Sequence, residues 1–132
     1  WEHNDYAAEL RSELKRRGLR ANVDVITNLP TGDEVHPDVL VVSRSNPNQP
    51  GPGPYTGVPD LIAEVLSAAN PGAYDLEKRD IYARAGVRHY WLVRLAEMMV
   101  EPMALGEDGE YHPGAPFPLL PLDALLVPAD LT

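Results

Sequence analysis

The period of the apolar residues changes repeatedly along the chain, and each change marks an element. Over residues 4 to 17, Tyr6, Leu10 and Leu14 recur at i, i+4 and i+8. That spacing predicts an amphipathic helix, with Asn4 or Asp5 to cap it and Gly18 at C′. From Asn22 to Thr27, Val23 and Val25 alternate, with Ile26 as a neighbour, which predicts a strand, and Pro30-Thr31-Gly32-Asp33 is turn chemistry. Asp38 to Val42 is an aliphatic strand that follows a proline, tolerated at a strand start. Period two puts Asp38, Leu40 and Val42 on one face and Val39 and Val41 on the other. Ser43 to Pro59 holds five prolines and three glycines in 17 residues, which excludes helix and interior strand. A loop of that length is either a functional flap or disordered chain, and disorder is the favoured expectation.

Leu61 to Leu66 predicts another strand, with Ile62, Glu64 and Leu66 on one face. A helix is expected at about 74 to 85, with Asp75 as N-cap, Gly86 as stop, and Leu76, Ile81, Tyr82 and Ala85 on its packed side. His89 to Val93 is a third buried strand. Met98 to Leu105 and Glu110 to His112 flank Gly106-Glu107-Asp108-Gly109 as a hairpin. The tail from Pro113 carries five prolines and is expected to drape over the core, with one turn near Leu122 to Leu126. Hairpin-connected strands with one helical crossover define an α/β (α+β) sheet with helices on its faces. The expected organisation is a single domain, 1–132.

Composition narrows the function. Twenty Asp and Glu against eleven Lys and Arg leave a net charge of −9, which argues against tight nucleic-acid binding through overall charge. Arg11, Lys15, Arg16, Arg17 and Arg20 still cluster on the first helix and its exit; a solvated helix face is the favoured explanation. Zero cysteines exclude disulfides and thiolate metal sites, and a cytoplasmic location is the default. No apolar run is long enough for a membrane span, and no signal-peptide pattern opens the chain. Four scattered histidines lack zinc-ligand spacing, and neither a P-loop nor a GxSxG motif occurs. Tyr90-Trp91 is expected in the core.

The misfit is Glu64. A carboxylate between Ala63 and Val65 in a core-like strand needs a metal ion, a cation or a raised pKa, unless its face is solvated. Ile62 and Leu66 on the same face oppose the solvated alternative. Asp38 poses the same question on a neighbouring strand. Two inward carboxylates would offer oxygen ligands to Mg²⁺ or Mn²⁺, ions that polarise a scissile phosphate and generate a hydroxide-like nucleophile. Lys78 shares a helix side with Asp75 and Tyr82; it could neutralise transition-state charge, or simply pair with Asp75.

PDVLVV, LIAEVLS, DLEKRDIY and AGVRHYWLV together resemble the bacterial Uma-two family of restriction-endonuclease-like proteins, in the PD-(D/E)XK nuclease superfamily. The likeness is strongest over residues 37 to 93. It implies a central mixed sheet flanked by helices and a metal-dependent endonuclease acting on nucleic acid, most of all DNA, as a homodimer. Carried over, Asp38 and Glu64 hold Mg²⁺ or Mn²⁺ with the Val65 backbone carbonyl, and Lys78 serves from the helix, Leu66 standing where the superfamily usually has Lys. His3, Ser67, Asp75 and Tyr82 match supporting positions. Arg94 stands where the family commonly has Asp, and the family's additional N-terminal segment is expected to be missing. Two rivals remain: a catalytically weak or inactive interaction or nucleic-acid-binding module, and a hydrolase of small phosphodiesters.

Overall fold

The computed structural model describes residues 3–67 and 75–131, excluding the side chains of His3, Asn4 and Asp75. The predicted caps at Asn4 and Asp75 therefore lie outside the described residues. Helix α1 (His3–Arg16) precedes strands β1 (Arg20–Val23), β2 (Thr27–Asn28), β3 (Glu34–Val35), β4 (Val39–Val42), β5 (Tyr55–Thr56) and β6 (Leu61–Leu66). Helix α2 (Asp75–Ala85) is followed by β7 (His89–Arg94), β8 (Met99–Leu105), β9 (Tyr111–Pro113) and β10 (Phe117–Pro118). The main sheet runs β1-β4-β6-β7-β8-β10, with β9 also on β8, and β3-β2-β5 form a small second sheet. Only β6 and β7 are parallel in the main sheet, as a helical crossover requires.

Alternation along the strands fills two layers. Val39, Val41, Leu61, Ala63, Val65, Trp91 and Val93 pack against Tyr6, Leu10 and Leu14 of α1. On the opposite face Ile62, Tyr90 and Leu92 pack with Tyr82 of α2, while Leu40 and Val42 meet Tyr55. The tail seals the α1 side: Tyr6 donates to the Leu119 carbonyl at 3.1 Å, and Arg17 to Leu125 and Leu122 at 2.9 and 3.0 Å. Tyr90 and Trp91 are core residues, as expected.

Several elements differ from the sequence reading. The strand expected from Asn22 to Thr27 is broken at Asp24, whose φ of 50° turns the chain out of the main sheet; Thr27 and Asn28 join the small sheet. The proline loop is folded. Gln49 donates to the Ser43 and Asn46 carbonyls, Asn46 to Val58, and Tyr55 to Asn48, while β5 runs parallel to β2. In α2, Tyr82 is buried but Leu76 is 78% exposed. At about 100° per residue Leu76 lies about 120° round from Tyr82, and the packed side runs through Ile81, Tyr82 and Ala85 without it. The tail contains β10, paired with β8, and a short 3-10 turn at Leu122–Ala124 where a turn was expected.

Candidate metal-binding active site

Strands β4 and β6 are antiparallel with Val39 opposite Ala63 and Leu40 opposite Ile62. Continuing that register by one residue sets Asp38 opposite Glu64, on the face that carries Leu40 and Ile62. Two like charges directly across a sheet repel. The chain resolves this by using the carboxylates to close the end of the ladder. The Asp38 N–H donates to Glu64 Oε1 at 3.2 Å, and the Val65 N–H donates to Asp38 Oδ2 at 2.7 Å. Lys78, reaching down from α2, donates to Glu64 Oε2 and forms an ion pair with it.

Glu64 is 2% exposed, among the most buried side chains of the protein. Burial pushes its carboxyl above the usual range and the Asp38 charge adds to that, while the Lys78 ammonium and the Asp38 amide pull the other way. Burial is also what raises the Tyr82 hydroxyl, with the Glu64 charge adding to it; that ring packs edge-on against Tyr90 at 5.2 Å. Asp38 is half-buried and the Lys78 side chain 43% exposed, so the site opens to solvent from their side.

Asp38, Glu64 and Lys78 thus come together as the sequence suggested, with Tyr82 one helical turn behind Lys78. Ser67 is half-buried just past β6 and enters none of these contacts. The side chains of His3 and Asp75, and with the latter the alternative Lys78–Asp75 pair, lie outside the described residues. For Val65 the sequence reading named the carbonyl; the described contact is its amide. Asp60 and Leu66 carbonyls face β7, accepting from His89 and Leu95, so alternation turns both Val65 backbone groups toward β4. The Val65 amide contact and that of the Asp24 N–H to the Asp38 carbonyl, at 3.2 Å, had no sequence signal, because both depend on register and on the kink at Asp24.

The donor set fits a hard divalent cation. Two carboxyl groups and a backbone carbonyl oriented to one strand end are oxygen ligands, with a single ammonium beside them. Each Glu64 oxygen accepts one N–H and keeps a further lone pair. Among the described residues, no group of three or more His, Asp or Glu side chains gathers at one point. An ion there would be held by Asp38 and Glu64 and completed by water, as Mg²⁺ prefers.

A mixed sheet with helices on its faces and this acid pair at a strand end has the layout of a nuclease-fold protein. The chain belongs to the Uma2 family, described as "Putative restriction endonuclease", which matches residues 1–130. Among solved structures it is similar to a protein of Anabaena variabilis described as a "putative nuclease belonging to DUF820". The TM-score is 0.62 at 19% identity, over 84% of this chain and 65% of that one. The chain therefore spans just under two thirds of that relative's length, and the likeness is one of fold. No curated protein matches the chain.

Proposed function

We propose that this chain is a Mg²⁺- or Mn²⁺-dependent endonuclease hydrolysing phosphodiester bonds of nucleic acid, most of all DNA. The observation that carries this is the convergence of Asp38, Glu64 and Lys78 at the open end of the β4–β6 ladder, within a member of a family so described. When bound, the ion supplies Lewis-acid polarisation of the phosphodiester and acidifies water. Asp38 and Glu64 hold it. The Lys78 ammonium, held by Glu64 and part-exposed, supplies a positive charge toward the phosphate oxygens as charge develops. Glu64, walled by Tyr82 and the sheet, keeps its carboxylate away from water, which strengthens both attractions.

The test is cleavage of plasmid and of single-stranded DNA in Mg²⁺ and in Mn²⁺ by the wild type and by Asp38→Asn, Glu64→Gln and Lys78→Ala. A loss of about 100-fold or more is expected for each substitution. Undiminished activity in all three would place the chemistry elsewhere. A non-catalytic nucleic-acid-binding module is favoured by one observation: both carboxylates already satisfy backbone amides. Calorimetric titration with Mn²⁺ separates the two, since the catalytic reading requires binding that Asp38→Asn abolishes.

A further inference from the structure

Eleven cations serve a chain of twenty acids, and most are used up internally. Among the described residues Arg16 and Arg17 pair with Glu13, Lys78 with Glu64, Arg84 with Asp80, Arg88 with Asp60 and Asp130, and Arg94 with Glu101. Arg79 donates to the Tyr111 carbonyl. The four others, Arg11, Lys15, Arg20 and Arg44, hold no carboxylate among the described residues, and all four line one channel.

That channel consists of two adjoining hollows of about 380 and 420 Å³ along β1, the edge of the main sheet. Lys15, Arg20 and Arg44 line the first and Arg11 the second, and both share Asn22 and Gly51. Arg44 donates through Nε to the Gly18 carbonyl and Arg11 through Nε to Ala21, which fixes both guanidiniums and leaves their outer nitrogens for a ligand. Residues Pro50, Gly51, Gly53 and Pro54 of the folded loop form the opposite wall.

The channel runs along β1, which pairs with the strand next to Asp38. Arg20 lies opposite Val42 and Asn22 opposite Leu40, so both share the sheet face of Asp38 and Glu64. Four residues along β4 separate the Arg20 level from Asp38, roughly 13 Å at the usual strand rise. The second hollow takes in Asp24, whose N–H donates to the Asp38 carbonyl. Lys15, Arg20 and Arg44 make the first hollow cationic, Arg11 and Asp24 share the second, and Asp38 follows just outside it. Phosphate belongs at the cationic end, and at the acidic end only together with a cation.

We propose that this edge channel is the track for the phosphodiester backbone of the substrate, seating phosphates on Lys15, Arg20, Arg44 and Arg11 and leading the strand to Asp38 and Glu64. It rests on the nucleic-acid reading above and adds where the substrate lies. Among the described residues no aromatic ring lines either hollow, so the contacts these offer are to the backbone and not to stacked bases.

Lys15 and Arg20 are exposed and enter none of the described side-chain contacts, so Lys15→Ala/Arg20→Ala leaves the fold in place. Binding of fluorescein-labelled DNA of mixed sequence, about 20 nucleotides long, single-stranded and duplex, is read by anisotropy in EDTA over about 50 to 300 mM KCl. The double variant is expected to flatten the log K against log salt slope by about 1.4 on a single strand or about 1.8 on a duplex. The form that shows the change identifies the strand state the channel takes. Arg84→Ala, remote from the channel, is expected to keep the wild-type slope. No salt-dependent binding by the wild type, an unchanged slope in the double variant, or an equal change in Arg84→Ala each overturns the channel. Glu64→Gln separates this from the catalytic reading: it is expected to bind like the wild type in EDTA and not to cleave. Cleavage that survives Glu64→Gln sinks the acid pair alone, and cleavage that requires Glu64 with channel-independent binding sinks the channel alone.

Discussion

Both oxygens of Glu64 are committed, one to the Asp38 amide and one to Lys78, in a position with almost no water. Removing the ammonium strands a buried charge, so Lys78→Ala is expected to lower stability by about 1–2 kcal/mol in urea unfolding. That is less than for a fully enclosed pair, because the Lys78 side chain is 43% exposed. In a Glu64→Gln background the same substitution should fall within about 0.5 kcal/mol of neutral, and an equal cost in both backgrounds would show that Lys78 acts by packing. Asp60, at the other end of β6, has a comparable load. Burial raises its carboxyl, but the Ser43 amide, the Arg88 guanidinium and the Asn46 amide outweigh this and hold it below 3.8. A depressed folded pKa adds stability that is present above the ordinary Asp value and lost as pH falls through the folded one. Asp60→Asn should therefore be less stable than wild type by about 1.5–3 kcal/mol from pH 5 to 8, with the gap closing below about pH 3.8, followed by circular dichroism. Glu64 stood out in the sequence because a carboxylate amid aliphatic residues demands a partner, whereas Asp38 and Lys78 were joined to it by the family resemblance, the spacing of Lys78 equally allowing a pair with Asp75. The Val65 amide did not stand out, since any backbone amide looks alike until register decides which ones the ladder leaves over.

The helices and long strands follow their apolar periods, because each buries a whole face and the period is a property of that face. Short elements do not announce themselves this way. A single left-handed Asp24 moves Thr27 and Asn28 into another sheet, and nothing local distinguishes it from a strand residue. The proline loop read as unstructured because its order comes from distant partners: Tyr55 donates its N–H to Ile26 and Gly57 to Asn28. Gly57 makes that order testable. Its φ of +143° disfavours any side chain, and an added Cβ would sit 2.8 Å from the Asn48 side chain. Gly57→Ala is expected to cost about 1–3 kcal/mol and to speed proteolytic nicking between residues 43 and 59, with the sheet's circular dichroism retained. A nicking rate equal to wild type would mean the loop is held without this turn.

On the scale of the molecule, family and fold were legible from four motifs and the tail was expected over the core, while its strand β10 was not, since five prolines hide a strand that needs only two residues. A divalent ion that binds only the folded protein stabilises all of it: Mg²⁺ or Mn²⁺ at about 100 times Kd should add about 2.7 kcal/mol, read as a rise in Tm. Asp38→Asn should abolish the rise, and an undiminished rise would place the ion elsewhere. The seal between α1 and the tail has a consequence of timing. Tyr6 and Leu119 are 113 residues apart, and Arg17 and Leu125 are 108 apart. At about 5–20 residues per second on the ribosome, the helix waits roughly 6–23 s for its cover to be made. Throughout that interval the growing chain leaves part of the apolar side of α1 without the cover that residues 119 to 125 later supply.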